Sequence, residues 1–204
     1  MKDIIISELR KKETGIDGFR AGAARMAYLL AGEAAGFLKQ KKIPVRTPLA
    51  KAAGFEAAQN VALVPILRAG AAFLPAFLFY FESAKVGFIG LKRDEKTAVA
   101  REYYRNLPAI GKNDLVILLD PMLATGGSAA AAIKALKDAG VRQEQILAVF
   151  LIAAPEGYKN LRQHFPKVKT IIGVMDKKLT PKKFIYPGLG DFGDRYFGTK
   201  RPIG

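Results

Sequence analysis

The residue types best suited to chemistry lie together in one stretch, Asp120 to Ser128, DPMLATGGS. Asp120 closes a continuous apolar run, Leu115 to Leu119, that is too short for a helix and reads as a strand buried on both faces of a parallel sheet. Pro121 removes a backbone donor, and Met122, Leu123 and Ala124 carry the chain onward. Thr125, Gly126, Gly127 and Ser128 then lead into AAAAIKALKDAG, a segment of high helix propensity closed by Gly140. A strand, a small-residue loop and a helix start suit a phosphate, because uncommitted amide N–H groups converge there. The helix dipole adds about 0.3–1 kcal/mol for negative charge at exposed sites. Thr125 and Ser128 add hydroxyl donors, and the Asp120 carboxylate is placed to accept from sugar hydroxyls. A plainer description, a helix cap preceded by a Gly-Gly turn, fits the same residues, and spacing alone leaves both open.

Arg68 occupies a second junction of this kind. The apolar run Val61 to Ile66 passes through Leu67 into Arg68, Ala69 and Gly70 before an apolar helix over 71–81. An arginine there either holds a phosphate bidentately or makes an exposed salt bridge. After a third strand, Val86 to Leu91, the charged stretch KRDEKTAVAREYYRNLP keeps no apolar period and reads as a long mobile excursion, of the sort that forms lids. Gly188, Gly190 and Gly193 satisfy the dinucleotide spacing G-x-G-x-x-G, yet only eleven residues follow Gly193, too few for the βαβ unit that the motif requires. Those glycines instead suggest a tight loop whose backbone groups read a flat base edge. TGGS has no following lysine, so it is not a Walker A loop.

The elements that must position these residues alternate. A short helix is expected over Ile4 to Lys12. A longer one follows, with Phe19, Ala23, Met26, Leu30, Ala34 and Phe37 on one stripe, and then an irregular connection between Ile43 and Gly54. Beyond the central strand and helix, Ile146 to Ala154 and Val168 to Val174 read as buried strands separated by PEGYKNLRQHF, a helix with proline at its start. His164, the only histidine, lies near the end of that helix, far in sequence from the candidate residues, and reads as structural or surface. The pattern predicts an α/β fold with a doubly wound, mostly parallel sheet flanked by helices and a ligand at the carboxyl ends of its strands.

At 204 residues one such domain is expected, with 50% hydrophobic residues and apolar runs far shorter than the roughly 18 needed to span a membrane. The charged N-terminus lacks an apolar signal core, and there is no cysteine for a disulfide or thiolate site, so a cytoplasmic protein is expected. Thirty-three Lys and Arg against 18 Asp and Glu give a net charge of +15, which implies an anionic partner without choosing among nucleic acid, nucleotide and phosphate.

The stretch DPMLATGGS resembles the ribose-phosphate loop of the uracil phosphoribosyltransferases, in the type I phosphoribosyltransferase fold, down to the single Asp before proline. VPILRAG, KRDEKT, YYRNLP, AAPEG, PGLGD and GDRYFGTK agree in order, so the likeness runs from about Val61 to Lys200; before it, only TPL at Thr47 to Leu49 matches. The resemblance implies transfer of the 5-phosphoribosyl group from 5-phosphoribosyl 1-diphosphate to uracil, giving UMP and diphosphate, with Mg2+ on the leaving group. Arg68, Arg93 and Asp120 would be the catalytic residues. Asp120 to Ser128 would bind the ribose phosphate, while Ile185, Gly190, Asp191 and Phe192 would line the base pocket, with no protein metal site. Arg93 and Thr97 match the flexible lid, expected over 93–108. The expected organisation is one domain, 1–204, with a helical segment over 1–60, a core sheet over 61–175 and a small hood over 176–204. A homodimer or homotetramer and a GTP effector are further family expectations. Two departures stand out: AREYY where relatives carry prolines, and Phe192 where they carry a small residue. The high charge also motivates an alternative, a regulator of the same fold that binds RNA or senses nucleotides.

Overall fold

The computed structural model describes residues 1–93 and 100–199. Its centre is a sheet whose parallel strands are β3 (Val61–Leu67), β5 (Phe88–Arg93), β7 (Leu115–Leu119), β9 (Ile146–Ala153) and β10 (Lys169–Met175). The strands lie in the order β10-β9-β7-β3-β5, and β6 (Ala100–Asn106) closes the β5 edge antiparallel. Two short pieces extend it, β4 (Lys85–Val86) beside β3 and β8 (Met122–Leu123) beside β9. The continuous apolar runs are explained by coverage of both faces. Val61, Leu63, Leu115, Ile117, Leu119, Leu147 and Val149 belong to one core. The alternate residues Ala62, Val64, Val116, Leu118, Ile146, Ala148 and Phe150 belong to the other.

The first core is covered by α1 (Lys2–Arg10), α2 (Ile16–Ala35), a 3-10 turn over Ala69–Phe73 and α3 (Leu74–Tyr80). The second lies under α4 (Gly127–Asp138) and α5 (Pro155–His164). On α2, Phe19, Ala23, Met26, Leu30 and Ala34 are fully buried, as their spacing predicts, whereas Phe37 lies past the helix end and is exposed. His164 is an exposed helix-terminal residue whose Nδ1 lies 2.9 Å from Asn160 O.

Two segments differ from expectation. Instead of an irregular connection, the residues after α2 form an antiparallel hairpin, β1 (Gln40–Arg46) and β2 (Lys51–Ala57), so the first sixty residues are not helical throughout. Pro44 is tolerated because this two-stranded ribbon is all edge, and Thr47 caps the turn by accepting from Leu49 N and Ala50 N. The expected irregular lid is likewise ordered at its base, where β5 and β6 pair from Phe88↔Asn106 to Arg93↔Ala100 with a bulge after Gly90. A charged sequence without apolar period still forms strands when one edge is a sheet and both side-chain faces stay wet. The hood is built from β11 (Lys178–Leu179), β12 (Ile185–Tyr186), a loop and α6 (Phe192–Phe197).

Candidate active site

The strand order reverses between β3 and β7, and in open α/β sheets the crevice outside the carboxyl ends at such a switch point takes the ligand. Here those ends are Leu67–Arg68 and Leu119–Asp120, neighbours through the pairing Pro65↔Leu119. Gly70 makes the approach feasible, since a Cβ there would lie 2.2 Å from Leu119 O. Two loops distant in sequence thus share one crevice.

Asp120 is 9% exposed, and burial pushes its carboxyl from the usual 3.8 up to about 7, offset in part by the Met122 N–H donating at 3.4 Å. After it, Pro121 and Leu123 are buried, with Leu123 in the core, so their side chains back the loop. Thr125, Gly127 and Ser128 remain partly open. Gly126 sits at φ +83°, a left-handed conformation that suits glycine and turns the chain into α4. Gly127 N donates to Thr125 Oγ1 at 3.3 Å, while the amides of the next residues, in the first turn, have no intrahelical acceptor. From behind, α5 braces this loop: Asn160 Nδ2 donates to Thr125 O at 2.9 Å, and Gly157 packs so closely that a Cβ would lie 2.1 Å from Ala124 O.

Arg68 forms the opposite wall. Its half-exposed guanidinium lies 3.7 Å from the Asp194 carboxylate and 5.7 Å from the centre of the Phe197 ring, both on α6. A cleft of about 490 Å3 is lined by Leu67, Arg68, Leu91, Lys92, Tyr103, Asp194 and Thr199. Arg93 closes the backbone of β5 beside this cleft; its side chain, and Thr97, lie outside the described residues. Lys92 and Tyr103 were not singled out by sequence, because only the β5–β6 register brings them here.

The hood supplies a loop, Pro187 to Asp191, with Gly188 at φ +68° and Gly190 at φ +83°. Asp191 Oδ1 accepts from Asp194 N at 2.9 Å and so caps α6. Ile185 and Phe192 are both in the core. The Phe192 ring is 1% exposed, with its centre 5.3 Å from Phe19, 6.3 Å from Phe73 and 5.6 Å from Tyr196. It therefore neither stacks on a base nor fills the cleft, and an apolar ring at the first position of α6 is drawn inward by α2. The side chains of Ile185 and Phe192 are thus committed to the core.

Comparison with known proteins follows the whole chain. A family model described as "Uracil phosphoribosyltransferase" matches residues 3–199. Curated proteins named uracil phosphoribosyltransferase are similar over nearly full length. The one from Malacoplasma penetrans is 40% identical over 96% of this chain and 94% of its own. That from Salinibacter ruber is 42% identical over 94% and 90%. A solved structure of a protein from Aquifex aeolicus superposes with a TM-score of 0.89 at 34% identity, covering 98% of this chain and 95% of its own. A hypoxanthine phosphoribosyltransferase from Staphylococcus aureus shares the fold at a TM-score of 0.52 and 11% identity, covering 91% of each chain.

Proposed function

The chain belongs to the uracil phosphoribosyltransferase family, and on that premise we propose that the switch-point crevice joins uracil to the ribose of 5-phosphoribosyl 1-diphosphate, giving UMP and diphosphate. The observation that carries this assignment is that neighbouring strand ends at the switch point present Arg68 on one loop and Asp120 with the half-open Thr125–Ser128 loop on the other, while Asp194 of α6 lies 3.7 Å from Arg68. The matches favour this enzyme over a regulator of the same fold.

Displacement at an anomeric carbon passes through an oxocarbenium-like state, so the protein's work is positioning and charge stabilisation. Thr125 to Ser128 hold the 5′-phosphate at the start of α4. The Asp120 carboxylate accepts from the ribose hydroxyls. Arg68 and Arg93 take the diphosphate, and Arg68 exchanges its long contact with Asp194 for phosphate oxygens. The main chain of Pro187 to Asp191 reads the uracil edge, held open by two left-handed glycines.

Among the described residues no three His, Cys, Asp or Glu side chains are grouped to hold a metal. Asp194, the carboxylate in the cleft lining, would hold a Mg2+ that accompanies the diphosphate, an oxygen donor of the kind this ion prefers. Bound there, the ion would supply positive charge to the leaving group.

The β1–β2 hairpin supports self-association. Its strands pair with each other, Leu49 at its tip is 97% exposed and Phe55 61% exposed. An isolated two-stranded hairpin is only marginally stable in water, so a second copy of the chain is the proposed cover.

Diphosphate release measured side by side with uracil, cytosine, hypoxanthine and orotate tests the reaction. Uracil alone should support turnover, Arg93→Ala should abolish it, and Asp120→Asn should lower kcat/KM by about 100-fold. A folded sample with Mg2+ that turns over none of these bases, or prefers another, contradicts the assignment.

A further inference from the structure

Arg10 ends α1, a helix that contributes nothing to the cleft lining, yet its guanidinium reaches the base loop. It forms a two-armed pair with Asp176, with one nitrogen donating to Oδ2 at 3.1 Å and the other meeting Oδ1. The first nitrogen also donates to Gly188 O at 3.3 Å, and Asp176 Oδ2 in turn accepts from Gly188 N at 2.8 Å. One ion pair therefore engages both backbone polar groups of Gly188. Its carboxylate is nearly sealed, at 4% side-chain exposure. Gly188 has little freedom to answer by moving, since it is left-handed and a Cβ there would lie 2.3 Å from Ile185 O.

A second arginine fastens the next residue. Arg195 donates to Leu189 O at 2.7 Å and also to Leu9 O and, at 2.8 Å, to Lys11 O, the carbonyls at the end of α1. Its guanidinium carbon lies over the buried Phe19 ring, 4.3 Å from the centre. The planar five-donor fork suits a job that a lysine point charge does poorly, which is to fix several acceptors in one plane. The last turn of α1 and the loop over 187–191 are thereby tied together by two arginines.

We propose that Arg10, acting through Asp176, is a positioning residue for base recognition: it fixes which main-chain groups of residues 188–191 stay available to the base edge. This rests on the assignment of that loop as the base site. Without Arg10 the Asp176 carboxylate keeps the Gly188 N–H but loses its counter-charge in a buried setting, and the loop must shift to let water reach it. The phosphate loop, on β7 and α4 and braced by α5, makes no bond to Arg10, so the two substrates should respond differently.

Steady-state kinetics on the full chain separate these effects. Arg10→Ala should raise KM for uracil about tenfold or more while KM for phosphoribosyl diphosphate stays within about twofold. Arg10→Lys, which keeps the charge but not the fork, should recover part of the loss. Asp176→Asn, which keeps the hydrogen bond from Gly188 N, should fall on the same side as Arg10→Ala. An equal rise in both KM values, or a lowered melting temperature with uracil KM unchanged in all three variants, overturns the proposal. Gly190→Ala, at φ +83°, probes the loop itself. If it raises uracil KM and the Arg10 variants do not, the role of Arg10 fails and the base site stands. If none of the variants moves uracil KM, the base-site assignment fails with it.

Discussion

Burial lifts the Asp120 carboxyl from 3.8 to about 7, and that one displacement has opposite consequences for the fold and for the reaction. The folded chain holds the proton more tightly than the unfolded chain, so stability is lost as pH rises between these two values and is flat above them. At about 1.4 kcal/mol per pH unit, the ceiling is on the order of 4 kcal/mol. Asp120→Asn removes the charge at similar volume. It should therefore raise the melting temperature relative to the parent at pH 8, leave it nearly unchanged at pH 4, and still cost most of the turnover. Thermal melts at the two pH values check this, and an equal effect at both would mean that burial of the charge is not the cause. The same residue shows how far a reading from residue types extends. That Asp120 ends a strand beside a small-residue loop is plain in the letters. That it is only 9% exposed, with its N–H bound to Val149 O on β9, depends on a strand distant in the sequence.

Elements differ in how far their patterns foretell them. The strands buried on both faces and the stripe of α2 were legible because their periodicity reports burial directly. The β1–β2 hairpin was not, because alternation appears only when one face is covered, and here both faces are largely exposed. This exposure carries its own prediction. Leu49→Asp with Phe55→Asp, on a hairpin that contributes no residue to the cleft lining, should shift the chain toward monomer in sedimentation velocity or light scattering. An unchanged assembly state would place the interface elsewhere, for instance at the exposed Tyr28, Phe79 and Tyr80 cluster on α2 and α3.

For the molecule as a whole, a net charge of +15 acts on a multiply anionic substrate but hardly on a neutral base. KM for phosphoribosyl diphosphate should therefore rise several-fold between about 0.05 and 0.5 M salt, as the screening length falls from about 14 to 4 Å, while KM for uracil stays level. Parallel salt dependence for both substrates would mean that the charge serves something other than substrate capture. The lysines bear on this only by position. Those at 39, 41 and 42 run into the β1–β2 hairpin, and those at 177, 178, 182 and 183 cluster around β11 and β12.

By itself the sequence determined the doubly covered sheet, the loop after its middle strand and the family, because each is written in consecutive residues whose types report their surroundings. The tertiary structure decided what depends on partners far apart in the chain. Phe192 turned inward onto Phe19 and Phe73 and not toward a base. Lys92 and Tyr103 reached the cleft through strand register. Arg10 found Asp176 across 166 positions. No local period marks such a pair, since its energy comes from a shared buried space that exists only once both cores have closed.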